Sequence, residues 1–245
     1  MKPDTTDLTL FLISNITHQA INPLNGVIGT LDNVVKGDVA EHKKEQRLKS
    51  ARAQLEYTVS LIRNLSYFAE YATEKTDEKK AGPSKKCIIP EIIIQAAQFF
   101  QEQGRQNGIQ IELENRHVQN CVPGDPDLIR QVFMNIFDNA VKYGNKDSKV
   151  IVKNWIQKKS GELIISIEGE STPFSTEDDV FSLGSRGKNA ELKTSSGSGL
   201  GLYICRLIVE NVFSGKISGS STTSGRAVFE IRLPNAYEKK NEKNK

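Results

Sequence analysis

The chain has 245 residues, 37% hydrophobic and 26% charged, with 33 Lys+Arg against 30 Asp+Glu. That length holds one large domain or two small ones, and a net charge of +3 gives no pull toward nucleic acid or an anionic membrane. No run reaches the ~18 apolar residues of a membrane span, no leader opens the chain, and three scattered cysteines form neither a disulfide framework nor a metal cluster. Buried thiols in a reducing cytoplasm are the expectation.

Residues 5–36 hold the first element. Leu10, Ile13, Thr17, Ala20, Leu24, Val27, Leu31 and Val34 are spaced 3 and 4 in alternation, a heptad seam. Lys36-Gly37-Asp38 breaks it. A second helix is predicted from about Glu41 to Ala72, with Leu48, Ala51, Leu55, Thr58, Ile62, Leu65, Ala69 and Ala72 in the same spacing. Two long helices with a short break form an antiparallel hairpin, and a hairpin alone cannot enclose a core. Two hairpins paired as a four-helix bundle can, so a homodimer is expected.

His18 lies one residue past the seam and points to the surface. Pro23, five residues on, should bend the helix there, at up to ~3 kcal/mol. A lone exposed histidine is ordinarily a solvated side chain. Its neighbours change that: Ser14-Asn15-Ile16-Thr17-His18-Gln19-Ala20-Ile21-Asn22-Pro23-Leu24-Asn25 resembles the phospho-acceptor box of sensor histidine kinases. The resemblance implies that His18 accepts the γ-phosphoryl group of ATP. It also implies that Asn22, one turn on, orients water when the response regulator is dephosphorylated. Gln19 departs from the family's acidic residue. Glutamine cannot act as a base, and general bases contribute about 10²–10⁴-fold, so either slow autophosphorylation or another group in that role is expected.

Thr73–Lys86 is charged, contains Gly-Pro and lacks apolar period, which marks an interdomain linker. The expected division is a hairpin at 1–76, linker at 77–86, catalytic domain at 87–236 and disordered tail at 237–245. After the linker come a short strand and a helix ending near Gly104 or Gly108, then a strand at IQIELEN and a helix from Pro126 to Val141. VIVKNWIQ and ELIISIEG read as adjacent strands, followed by a helix from about Gly201 to Phe213 and a hairpin of KISGSST with AVFEIRL. The predicted fold class is an all-α hairpin followed by an α+β sandwich, a mixed sheet with helices on one face.

Two motifs in this second region carry chemistry. In Asn135-Ile136-Phe137-Asp138-Asn139-Ala140-Val141-Lys142-Tyr143, two asparagines four apart project to one side. Their amide oxygens are hard ligands suited to Mg²⁺. The string is similar to the asparagine box of the ATPase superfamily that contains histidine kinases, heat-shock chaperones and gyrases. The match implies Asn139 as chief Mg²⁺ ligand, with Asn135, Lys142 and Tyr143 lining the nucleotide site. Ser196-Gly197-Ser198-Gly199-Leu200-Gly201-Leu202 precedes a helix, where glycines allow close approach of phosphates to free N–H groups. It resembles the second glycine box, which implies roles for Gly197, Gly199, Leu200 and Gly201. Val180–Gly187 resembles the phenylalanine box, so 182–197 is the expected ATP lid.

The first glycine box is degenerate. The family pattern places an aspartate against the adenine amino group. Here the strand ends Ile167-Glu168-Gly169-Glu170-Ser171-Thr172-Pro173, without aspartate. Glu168 and Glu170 are the two candidates to replace it, and losing the hydrogen bond would weaken ATP by about 10–100-fold.

The resemblance spans residues 5–235. It implies an ATP- and Mg²⁺-dependent protein-histidine kinase that is phosphorylated on His18 and passes the group to a response regulator. It further implies a dimeric, cytoplasmic piece of a longer sensor, with no nucleic acid or membrane contact by this segment. The alternative is a degenerate kinase acting as phosphotransfer protein or response-regulator phosphatase. A chaperone- or gyrase-like ATPase would leave His18 without a role.

Overall fold

The computed structural model describes residues 5–71, 85–101, 104–105, 108–171, 173–174, 179–183, 185, 199–222 and 224–239. Two helices of 31 residues each, α1 (Thr5–Val35) and α2 (Glu41–Tyr71), pack against each other across the turn at 36–40. Gly37 takes a φ of 79° in that turn, a value open to glycine at no steric cost. The helices approach closely where Gly26 faces Gln54: a Cβ at Gly26 would meet Gln54 Oε1 at 2.8 Å. The heptad seam splits in two. Val27, Ala51 and Thr58 are buried, whereas Leu24, Leu31, Leu48, Leu55 and Ile62 are exposed. Ile21, Ile28, Val35 and Val59 are exposed as well, so each helix carries an exposed apolar stripe.

The second region is built on two sheets. A five-stranded mixed sheet runs in the order β2-β4-β5-β7-β6, from β2 (Gln110–Leu113), β4 (Lys149–Ile156), β5 (Leu163–Glu170), β7 (Arg226–Leu233) and β6 (Lys216–Ser221). β2 and β4 are parallel and the other pairs antiparallel. Alternation along β4 buries Val150, Val152 and Asn154 and exposes Lys149, Lys153 and Trp155. A small antiparallel sheet joins β1 (Lys85–Ile88), β3 (Asn120–Gly124) and β8 (Tyr237–Glu238).

The apolar faces of α3 (Ile89–Phe99), α4 (Pro126–Tyr143) and α5 (Gly201–Leu207) are buried in one core with the sheet. α5 continues as a π-helix over Ile208–Val212. Ile129, Phe133, Ile136, Phe137, Ile165, Ile204 and Ile231 are all fully buried. Burial of such side chains, about 1.5–3 kcal/mol each, holds this region together.

Two domain boundaries and one strand differ from the sequence expectation. Lys85 and Lys86 lie opposite Gly124 and Pro123 as strand residues rather than linker, since an edge backbone pairs whatever its side chains. Tyr237 and Glu238 pair with Cys121 and Asn120, so the tail starts later than Ala236. β3 itself, Asn-Cys-Val-Pro-Gly, is too short and too broken by proline to read as a strand. Cys87, Cys121 and Cys205 are buried free thiols. Burial pushes the Cys87 and Cys205 thiols up to about 12, so they stay protonated and pack as small apolar groups.

Candidate functional site

The site is set by α4. Asp125 caps its first turn, the carboxylate accepting the Asp127 N–H at 2.8 Å, and Pro126 opens the helix. Leu128, Ile129, Val132, Phe133, Ile136 and Phe137 fill the core. The remaining face turns Asn135, Asp138, Asn139, Lys142 and Tyr143 toward an open cavity. Val150, Ile167, Gly169, Ala227 and Phe229 of the central strands form an apolar floor. Pro173, Phe174, Val180 and Ser185 border it from the loop after β5, and Gly199 and Gly201 from the turn before α5.

The two ends of the cavity differ. At one, the Asn135 Nδ2 donates to the Gly201 carbonyl at 3.1 Å. At the other, Gly144 bridges to Ser171 beside Tyr143 and Gly169. Gly199 has a φ of 66°, which a side-chain-bearing residue adopts only under strain. Phe174 and Phe229 stack at 5.9 Å between ring centres.

The charged pair on α4 is Asp138 and Lys142, 2.6 Å apart. The Lys142 Nζ also donates to the Tyr57 hydroxyl at 3.1 Å and sits over the Tyr57 ring. Burial works to lower the Lys142 ammonium, but Asp138 and Tyr57 together carry it above the ordinary lysine range. Burial raises the Asp138 carboxyl while Lys142 pulls it back. Lys142 is therefore a fixed positive charge at the cavity wall at neutral pH.

Asn139 borders the cavity with no side-chain hydrogen bond to another described residue. Among the described residues no three His, Cys, Asp or Glu side chains converge as a metal-binding group. A cation here would therefore rest on amide oxygen and on oxygens of its own ligand, which suits Mg²⁺ better than zinc. A flat apolar floor opposite a wall of amide and ammonium groups also fits a nucleotide, a planar base joined to a charged chain.

Most residues singled out from sequence come together here. Asn135, Asn139, Lys142, Tyr143, Glu170, Gly199 and Gly201 all border the cavity. Leu200 is fully buried just behind it. Glu168 is a correction: it pairs with Arg226 at 2.7 Å and does not line the cavity. Strand alternation turns Ile167 and Gly169 toward the helices and Glu168 away. The inward position at the end of β5 is thus Gly169, and Glu170 sits exposed at the mouth.

Phe181 is buried against Phe229 and lies under Arg206, whose guanidinium holds Asp179 with Nη1 to Oδ2 at 2.8 Å. The Arg206 hydrogen bonds hold the Asp179 carboxyl down to about 2, aided by Ser182 and the Phe181 N–H. The remainder of the expected lid, and Gly197, lie outside the described residues. His18 and Asn22 are exposed on α1, one turn apart, and neither lines the cavity. Gln19 lies in α1, its side chain outside the described part of the structure.

The sequence reading missed the wall contributed by α2. Tyr57, Leu61 and Asn64 border the cavity at spacings of 4 and 3, one face of a helix. The spacing was legible beside the seam; its partner, 71 residues away at Asn135, was not.

Residues 124–237 match the family of Histidine kinase-, DNA gyrase B-, and HSP90-like ATPases. The chain is 27% identical over 225 residues to the Sensor protein KdpD of Clostridium acetobutylicum, covering 91% of this chain but only 24% of that protein. The histidine kinase AdeS of Acinetobacter baumannii shares the fold, with a TM-score of 0.55 at 20% identity over 89% of this chain and 97% of that one. The histidine kinase ThkA, solved in complex with the response regulator protein TrrA, gives a TM-score of 0.54 at 21% identity, covering 91% of this chain and 60% of that one. Residues 124–237 thus resemble that ATPase family, and most of the chain is similar in sequence and fold to sensor histidine kinases, of which it spans only part.

Proposed function

We propose, from this likeness to sensor histidine kinases as premise, that the chain binds ATP in the α4 cavity and is phosphorylated on His18. The observation that carries the reading is the open Asn139 amide beside the charged Lys142, across from an apolar floor. Asn139 would hold Mg²⁺, Lys142 would neutralise phosphate charge, and the Gly199–Gly201 turn admits phosphate oxygens close to backbone. Bound ATP supplies the transferable γ-phosphoryl group. An imidazole nitrogen of exposed His18 is the acceptor: an N–P bond forms, the P–O bond to the β-phosphate breaks, and the ring proton leaves to solvent. Catalysis is mainly positioning and charge neutralisation. Asn22, on the same face, would place water for the reverse duty on a phosphorylated response regulator. The receiver aspartate of such a regulator is the onward acceptor, a reading supported by the ThkA–TrrA complex.

The exposed apolar stripes of α1 and α2 fit a second copy of the hairpin, completing a four-helix bundle. No described helix is long and apolar enough to cross a membrane. We place the segment in the cytoplasm, as part of a longer sensor.

Incubation with γ-labelled ATP and Mg²⁺ tests this. Acid-labile label on the chain, absent from His18→Ala, is expected. Gln19→Glu should raise the labelling rate, by up to about 10²-fold. Absence of label together with absence of nucleotide binding would overturn the kinase reading and favour a phosphotransfer or phosphatase role.

A further inference from the structure

The most completely satisfied polar side chain bordering the cavity is Asn135. Its Oδ1 accepts from Asn64 Nδ2 at 2.9 Å and from Gln131 Nε2 at 3.2 Å. Its Nδ2 donates to Asn64 Oδ1 at 3.0 Å and to the Gly201 carbonyl at 3.1 Å. A carboxamide offers two donors and two acceptor lone pairs; both donors of Asn135 are used, and one Oδ1 lone pair at most is left, since Gln131 Nε2 has two protons to share among three acceptors. Gln131 Nε2 reaches Asn64 Oδ1 and Ser60 Oγ as well, both at 3.0 Å, which closes the cluster onto α2. Asn64, Gln131 and Asn135 are all buried.

Two turns earlier on the same face of α2, the Tyr57 hydroxyl accepts a hydrogen bond from the Lys142 ammonium and the ring covers it. Leu61 between them is buried, and Phe68, one further step along this face, packs against Tyr203 of α5. α2 thus engages the two outer polar groups of α4, Asn135 and Lys142. Asn139, between them, is left open.

We infer that Tyr57 and Asn64 form a clasp that competes with the nucleotide for Lys142 and Asn135, so that nucleotide affinity depends on whether α2 is docked on α4. The inference rests on the reading of the cavity as the nucleotide site. In the docked arrangement Asn135 has one free lone pair at most for a cation and Lys142 has one free proton for a phosphate. A ligand that needs either group fully must displace α2. Linkage then works both ways: docking weakens nucleotide by the factor by which nucleotide weakens docking. The affinity seen is the intrinsic one reduced by the undocked fraction. Whatever shifts the hairpin relative to α4 becomes a control on the site.

The test is nucleotide titration of the full chain with Mg²⁺ and a non-hydrolysable ATP analogue, read by calorimetry, for wild type, Asn64→Ala, Tyr57→Phe and the double variant. Asn64→Ala takes a hydrogen-bond partner from Asn135 and from Gln131 only when α2 is docked, so it should tighten nucleotide by about 3–10-fold. Tyr57→Phe removes one hydroxyl and keeps the ring; it should tighten nucleotide by about 2–5-fold. The double variant should exceed either. Nucleotide should also speed amide exchange in α2 around 57–64 in the wild type. Affinity unchanged or weakened in Tyr57→Phe, with its circular dichroism intact, overturns the clasp even if Asn64→Ala fails to fold. Absence of binding in the wild type and in every variant overturns the nucleotide reading itself, and the clasp with it. Binding by the variants alone supports both.

Discussion

The hairpin and the ATPase region solve the burial problem differently. The ATPase region closes its core within one chain: Phe133 and Phe137 have no exposed surface, and two sheets and three helices surround them. The hairpin does not. Ile28, Val59 and Ile62 keep about half of their surface in solvent, at 57%, 48% and 52%. Two helices have only one contact line between them, and an apolar surface wider than that line needs further partners. The ATPase region supplies one on the Tyr57–Phe68 face of α2; the outer stripes await another. One region is a finished domain, and the other keeps apolar surface in solvent.

That contrast can be broken most severely in the finished domain. Phe137→Ala should cost about 3–5 kcal/mol, enough to unfold a marginal domain, and urea melts followed by circular dichroism would register it. A loss under about 1 kcal/mol would mean that this core is less closed than it looks. Next in size is nucleotide binding. Asn139→Ala should lower Mg²⁺-dependent affinity by about 10–100-fold while leaving the melt nearly unchanged, because its side chain bonds no described neighbour. An equal loss with and without Mg²⁺ would remove the metal role.

In the hairpin, Ile28→Asp together with Val59→Asp should turn a dimer into a monomer by light scattering without altering the ATPase melt. Each apolar side chain contributes about 1.5–3 kcal/mol when buried, and an unpaired carboxylate in that seam opposes association further. Survival of the dimer would show that the exposed stripes are not the interface.

The smallest effect concerns the Asp179–Arg206 pair under Phe181. The Asp179 carboxyl is held down to about 2, against about 3.9 when free, so the pair stabilises above about pH 4 and is lost as pH falls through about 2. The pair is half exposed, so its worth is under about 1 kcal/mol. The difference in melting between wild type and Asp179→Asn should be present at pH 6 and gone near pH 2. A difference that persists at pH 2 would assign it to packing.

Local pattern made much of the molecule legible. The heptads in 10–34 and 48–72 named two helices, apolar pattern named β2, β4, β5, β6 and β7, and the likeness of 135–143 to the asparagine box named one wall of the site. These are short-range signals, carried by periods of 3.6 and 2 residues. What they left open was anything decided by which face meets which distant partner. Strand phase at the end of β5 turned Glu168 out to Arg226 and Gly169 in, a choice that the flanking charges do not encode. The weak strand β3 exists because β1 offers an edge to pair with, and β8 because β3 in turn offers its other edge. The binding of Asn135 by Asn64 depends on two carboxamides 71 residues apart being buried together, where an unpaired amide would be costly. The sequence by itself determined the elements and the chemistry available on each; the tertiary structure alone decided which of those groups are open to a ligand, because hydrogen-bond capacity is used up by whatever neighbour burial brings within reach.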